Sequence, residues 1–262
     1  MNLVRLWLFM VICIAGPAVA GPFEDAVAAY KKGEYETALR LWRPLAERGS
    51  SSAQFNLGLM FCYGRGVPQD YATAVAWYQK AAAQGNAAGQ SNLGFMYDHG
   101  LGVLQDYTMA VTWYSKAAEQ GDDVAQVNLG IMYAEGHGVP LDYSAAMIWY
   151  RKSAKQRNGI AQYKLAQMFA NGLGVPQDYT AAATWYRRAA EQDNILAKYE
   201  LGIMYSKGQG VPQDYVLAHM WLDLASTDGP AEAVINRRLI VAKLTPAEIA
   251  EAQNLVNEWK PK

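Results

Sequence analysis

The chain has 262 residues, 52% of them hydrophobic, 12% aromatic and 18% charged, with a formal net charge of −1. This balance is globular and excludes a disordered or collagen-like chain; with no basic block and no acidic tail, it also excludes nucleic-acid binding as the main work. Two cysteines cannot build a disulfide framework and three scattered histidines cannot cage a metal alone, so no cofactor is expected.

The first twenty residues read as a secretory signal peptide. Arg5 supplies a positive start, Leu6 to Ala15 is unbroken apolar sequence, and Ala18-Val19-Ala20 is the small-x-small pattern accepted before Gly21. The apolar run is shorter than the ~20 residues a spanning helix needs. Ile12 precedes Cys13 where a lipoprotein signal wants Gly or Ala, so lipidation is not expected. Cleavage between Ala20 and Gly21 would send the chain to the periplasm or beyond, with no membrane span and one thiol, Cys62. Packing would then have to stabilise it.

Past this leader the chain repeats itself. Leu57, Leu93, Leu129, Leu165 and Leu201 recur at a step of 36 residues, and the same step carries Met60, Gly64, Gly66, Val67, Asp70, Tyr71, Ala74 and Trp77 to identical residues four more times. A fixed period of this length means a solenoid, whose units bury their apolar faces against one another.

One unit reads as a helical hairpin. Ser50, Asn86, Asp122, Asn158 and Asn194 share a column, and each side chain can accept from the free N–H groups that open a helix. Ala53, Leu57, Met60 and Phe61 follow at helical spacing as one apolar stripe. Gly64 ends the helix at a position that favours positive φ. Gly66, Val67 and Pro68 form a loop, with Pro68 keeping Val67 out of helical geometry. Asp70 caps a second helix whose stripe is Tyr71, Ala74, Tyr78, Ala81 and Ala82. Gly85 or its equivalent then stops it.

The string from Ala53 through Leu57-Gly58, Phe61, Gly64, Gly66-Val67, Asp70, Ala74, Trp77-Tyr78 and Ala81-Ala82 to Gly85 resembles the Sel1-like repeat (SLR), a longer-looped relative of the tetratricopeptide repeat (TPR). Five copies over residues 50–229 match it. The departures are Ala166 in place of glycine in the fourth copy, Leu104 in place of the loop proline in the second, and Leu222 in place of tyrosine in the fifth. Residues 21–49, with Gly33, Tyr35, Ala38, Trp42, Ala46 and Gly49, are similar to a plain TPR hairpin and suit an N-terminal cap. Residues 230–262 leave the pattern. Arg237 and Arg238 stand where the next Leu-Gly pair would fall, and Thr245-Pro246-Ala247-Glu248 opens a last helix whose buried face is Ile249, Ala252, Val256 and Trp259. They suit a C-terminal cap. The resemblance implies an all-α right-handed α/α superhelix of helix-turn-helix repeats.

Catalytic motifs are missing. No Ser-x-x-Lys, Lys-Thr-Gly, His-Glu-x-x-His, Cys-x-x-Cys or Gly-x-x-x-x-Gly-Lys string occurs. His99 and His137 are placed in loops and His219 in a helix, none at metal-ligand spacing. Capping accounts for the aspartates Asp70, Asp106, Asp142, Asp178 and Asp214. The tryptophans Trp77, Trp113, Trp149, Trp185 and Trp221 and the methionines Met60, Met96, Met132, Met168 and Met204 are expected in the core. Lys80, Lys116, Lys152 and Arg188 form a basic row on a solvated outer face, partly answered by Glu119 and Glu191.

Recognition is expected where the first helices vary. Phe55, Leu59 and Cys62, with counterparts that include Phe95, Ile131, Tyr163, Gln167, Tyr199 and Ile203, lie roughly opposite the Leu57 and Met60 stripe. The resemblance to TPR proteins implies that first helices line a concave groove, where Asn56, Asn92 and Asn128 are similar to the asparagine that holds a ligand backbone; Lys164 and Glu200 break that column. The competing reading buries these residues between neighbouring helices, as in any helix apolar all round. The family implies a non-enzymatic protein-binding scaffold of the bacterial cell envelope, with a protein or peptide partner. Two alternatives stand beside it. Cysteine-rich exported relatives are linked to penicillin binding and β-lactamase activity, whose paired cysteines and acylation motif this chain lacks. Carbohydrate binding through the aromatic columns would require exposed tryptophans.

Overall fold

The computed structural model describes residues 21–261; the signal-peptide reading of residues 1–20 lies outside them. The described residues form fourteen α-helices and no strand, divided between two compact units. The first, up to Leu141, holds α1 (Pro22–Lys31), α2 (Tyr35–Glu47), α3 (Ser51–Tyr63), α4 (Tyr71–Ala83), α5 (Ala87–His99), α6 (Tyr107–Glu119) and α7 (Asp123–Glu135). The second, from Asp142, holds α8 (Tyr143–Lys155), α9 (Gly159–Asn171), α10 (Tyr179–Glu191), α11 (Ile195–Lys207), α12 (Tyr215–Ala225), α13 (Ala231–Val241) and α14 (Pro246–Glu258). This is an all-α repeat fold.

The helix ends are set by the residues the repeat suggests. Ser50, Asn86, Asp122, Asn158 and Asn194 each accept from a backbone N–H of the first turn, and Asp70, Asp106, Asp142, Asp178 and Asp214 do the same for the second helices. The first helices stop at left-handed glycines, from Gly64 at φ 65° to Gly136 at φ 71°. After the second helices the left-handed position is held by Gly85 and Gly121 in the first two copies, but by Arg157 and Asp193 in the next two. Glycine is therefore not required there.

The loop glycine Gly66 and its equivalents do more than turn the chain. Gly138, at φ 70°, lies so close to the start of α6 that a Cβ on it would stand 2.5 Å from the Tyr107 carbonyl carbon. A Cβ on Gly66 or Gly174 would likewise stand 2.8 Å from the Cβ of Tyr35 or Tyr143. Each loop thus presses on the helix that opens the second half of the preceding hairpin. Gln69 fastens the other side: its Nε2 donates to the Cys62 carbonyl at 2.7 Å and to the Tyr71 hydroxyl at 3.1 Å. Gln105, Gln177 and Gln213 repeat this clamp. Leu141 replaces it in the third copy and is 55% exposed.

In the first unit α3 is buried on two sides. Leu57 and Met60 join Ala26, Tyr30, Ala38 and Trp42 in one cluster, while Phe55, Leu59 and Cys62 join Tyr78, Leu93 and Met96 in another. Tyr78 and Tyr114 are fully buried, seated where Gly58 and Gly94 lack a side chain; a Cβ on Gly94 would lie 2.8 Å from the Tyr114 ring. Gln54 and Gln90 are buried as well. Their Nε2 atoms donate to the carbonyls of Ala46 and Ala82 at 3.0 and 3.1 Å, and their Oε1 atoms accept from Gln84 and Gln120, each at 2.7 Å. The same carbonyls, at the ends of α2 and α4, also accept from the Gly49 and Gly85 N–H groups at 3.0 Å, so the glutamine amide is a second donor that ties the helix end to the next hairpin.

The second unit has one cluster running from Tyr163 through Tyr186, Leu201 and Trp221 to Ile240. Thr245 and Glu248 form the expected capping box at the start of α14. Ala252 is fully buried, Val256 and Trp259 pack on the cluster, and the Trp259 ring meets Trp221 edge-on at 4.7 Å. Leu255 joins them; of the expected buried face only Ala252 is enclosed, while Ile249, Val256 and Trp259 are half-buried. Arg237, at the place of the missing Leu-Gly pair, pairs with the Asp223 carboxylate.

Two glycines at positive φ separate conformational cost from contact. Gly85, at φ 82°, has nothing within 4 Å of where a Cβ would sit, so Gly85→Ala is expected to cost only the left-handed strain, ~1–2 kcal/mol. Gly138→Ala adds the collision with α6 and is expected to cost a further ~1–3 kcal/mol. Urea unfolding of the two variants beside the parent checks the order; equal midpoints would remove the loop contact from the account.

Candidate functional site

The residues singled out on the first helices do not present one continuous surface. In the first unit Phe55, Asn56 and Leu59 are 2–3% exposed; α3 is walled in by the hairpins on either side. Phe55 lies 6.1 Å from the Tyr78 ring centre. Asn92 is buried too. Its amide donates to the Ala88 carbonyl at 2.9 Å, and its Oδ1 has no partner. Phe95, Asn128 and Ile131 of α5 and α7 are half-buried and reach the surface. In the second unit Tyr163 is buried against Tyr186, with ring centres 5.7 Å apart, and takes a hydrogen bond of 2.9 Å from Gln167. Gln167, Tyr199 and Ile203 are half-buried. Tyr199 accepts from Asn236 of α13 at 3.2 Å.

Electrostatics singles out Glu200 in this row. Burial pushes its carboxyl up, partly offset by Lys207. Its charge acts on Tyr163, Tyr186 and Tyr199, whose hydroxyls are raised first by burial and then by Glu200; Tyr163 is pushed up to about 12. In the first unit burial likewise raises Asp98, against the pull of His99. His99 closes α5 rather than lying in the loop, stacks on Phe95 at 4.0 Å and points Nδ1 at the Phe95 carbonyl, 3.2 Å away. His137 stacks on Tyr107 at 4.6 Å. His219 is buried with Nδ1 unpartnered, and burial lowers its pKa. The described residues contain no group of three or more His, Cys, Asp or Glu that could hold a metal.

The methionine column is core as expected, at 0–5% exposure. The tryptophan column is not. Trp77, Trp113, Trp149 and Trp185 are half-buried, and only Trp221 is buried. A cation lies on each of these rings: Lys80, Lys116, Lys152 and Arg188 are 4.2, 4.2, 3.8 and 4.6 Å from the ring centres. The basic row is exposed, as expected, but it lies on the indoles. Each cation occupies one face of its indole and competes there with any stacking sugar ring. The buried glutamines of the Gln54 column escaped the sequence reading altogether, although their recurrence at the same step was a signal available to it.

The Sel1 repeat family model matches residues 51–86, 87–122, 123–158, 159–194 and 195–230. The chain belongs to the Sel1 repeat family. Among solved structures, a protective antigen of uropathogenic Escherichia coli strains with an SLR fold is 36% identical with a TM-score of 0.79; the match covers 90% of this chain and 53% of the antigen, so the chain spans about half that relative's length. A Sel1 repeat protein from Oxalobacter formigenes is 32% identical with a TM-score of 0.73, over 80% of this chain and 87% of that one. An immunity protein from Pseudomonas aeruginosa, 20% identical over 80% of this chain and 87% of its own with a TM-score of 0.53, shares the fold. No curated protein matches the chain. No helix of the described residues is long and apolar enough to cross a membrane.

Glu200 gives the fifth Sel1 repeat a pH signature. A carboxyl raised in the folded state keeps its proton longer there than in the unfolded chain, so stability falls as pH rises through the folded value. Glu200→Gln removes that dependence. The variant is expected to unfold at higher urea than the parent at pH 7.5, with the gain shrinking towards pH 4, near the ordinary carboxyl value of about 4.3. Urea midpoints of both proteins at the two pH values check this.

Proposed function

We propose that this Sel1 repeat protein is a non-enzymatic protein–protein interaction scaffold of the bacterial cell envelope, and that it binds a partner segment along its first helices. The observation that carries the reading is the contrast within those helices. Leu57, Leu93, Leu129, Leu165 and Leu201 are enclosed, whereas Phe95 and Ile131 in one unit and Tyr199 and Ile203 in the other keep part of an apolar or aromatic side chain at the surface. Such residues suit an extended segment or an amphipathic helix. Phe55, Asn56 and Leu59 belong to the packing between hairpins, so the binding face begins at α5. We further assign α1–α2 and α13–α14 as the caps that close the two ends of the repeat array, and residues 1–20 as the cleaved leader that directs export.

No observation favours the β-lactamase or penicillin-binding alternative, and the cations on the tryptophan rings weigh against carbohydrate stacking. A photoreactive residue at Ile131 or Ile203 in intact cells is expected to capture one discrete protein, with a control at exposed Lys116 capturing none. Equal capture at Lys116, or none at any position, overturns the groove. Cell fractionation of the same strain tests the envelope assignment; protein confined to the cytoplasm would refute export.

A further inference from the structure

The second unit carries a cleft of about 330 Å3 between α10 and the loop that follows α11. It lies on the second-helix side and does not depend on the first-helix reading. Ala183 forms its floor, Val211 one wall, and Thr180, Thr184, Arg187 and Arg188 its polar lining. These α10 residues fall at i, i+3, i+4, i+7 and i+8, one face of the helix.

The cleft has a cause in the sequence. The column that supplies its floor reads Val75, Val111, Met147 and Ala183 in the first four copies; Val75, Met147 and Ala183 are 4–5% exposed and Val111 is half-buried. The fourth copy has the smallest of them, so volume filled elsewhere by a branched or long side chain is left open. The column one turn further on reads Gln79, Ser115, Arg151 and Arg187, and Arg188 stands where the earlier copies have lysine. The fourth copy alone therefore joins the small floor to two adjacent guanidiniums.

Both guanidiniums are held in place by uncharged groups. Arg187 donates to the Tyr205 hydroxyl, and Arg188 lies over the Trp185 ring at 4.6 Å. Neither takes part in an ion pair among the described residues. Positioned guanidiniums with N–H groups to spare match the two oxygens of a carboxylate. Glu191 also borders the cleft and lowers its net positive charge, which favours a head group of single charge, a carboxylate, over a doubly charged phosphate head. The apolar floor and wall leave room for the carbon chain that carries it. Its volume falls at the low end of the range of small-ligand sites, and its lining is more polar than theirs usually is.

We propose that this cleft is a carboxylate-binding site, which takes either a small free carboxylate or the acidic side chain of a partner polypeptide. Isothermal titration calorimetry of the full chain uses succinate, a capped peptide with consecutive glutamates, and its glutamine counterpart. The parent is expected to bind succinate, the glutamate peptide or both, and not the glutamine peptide. Ala183→Met restores the side chain of the preceding copy and Arg187→Gln that of the first. Each is expected to weaken binding about tenfold or more with an unchanged helical circular dichroism spectrum. Binding of the glutamate peptide without succinate assigns the site to a partner's acidic segment; binding of succinate assigns it to a free carboxylate. No heat with either ligand, equal binding of the glutamine peptide, or parent-like affinity in both variants overturns the proposal.

Discussion

The contact on which the repeat depends is that of a backbone against a glycine. Gly66, Gly102, Gly138, Gly174 and Gly210 are all left-handed, and at each of them a Cβ would collide with the residue that opens the second helix of the preceding hairpin. The tyrosine at that helix start is held from several directions. In the first copy Asp70 caps the helix, Gln69 donates to the Tyr71 hydroxyl, and Gly102 of the next loop rests on the Tyr71 backbone. A loop one residue longer would displace both the glycine and the glutamine. This explains why the period holds at one value through five copies while surface positions drift.

Once the hairpins are in register, α3 has neighbours on two sides, and its composition follows. Leu57 and Met60 face the preceding hairpin, Phe55 and Leu59 the following one, so little of α3 is left for a partner. The buried tyrosines close the hairpin from within, seated where Gly58 and Gly94 lack a side chain. Buried glutamines complete the joint between copies: each amide donates to a carbonyl at the end of the preceding helix and, in the first two copies, accepts from the glutamine that follows its own hairpin's second helix, so its own polar atoms are paired inside the core.

Against so regular a frame the departures are informative. Leu141 gives up the glutamine clamp and stands exposed. Lys198 replaces the buried glutamine in the fifth copy and reaches out to the Asp193 carboxylate. Glu200 places a half-buried carboxyl among three tyrosines. Ala183 opens a cleft beneath two guanidiniums. The last three fall in the second unit, from the fourth copy's second helix onward. Positions that break a local rule are where function is commonly placed, and here they concentrate in the copies that also lose the asparagine column.

Helix ends, loop glycines and the period were legible in the chain because each depends on residues a few positions apart: a capping oxygen and an N–H three residues on, or a glycine at the end of a turn. The leucine, methionine and alanine stripes were legible for the same reason. Two kinds of fact were not. Spacing along one helix cannot tell a face turned to solvent from one turned to a neighbour, so Phe55, Asn56 and Leu59 read as groove until α4 and α5 covered them, and the tryptophans read as core until lysines proved to cover them. Nor can a column of Val, Val, Met and Ala announce a cleft, because a missing side chain becomes a cavity only when the surrounding helices cannot close over it. Local hydrogen-bond chemistry settles where each helix starts and stops; which apolar residues remain in contact with water is decided by the packing of hairpin on hairpin.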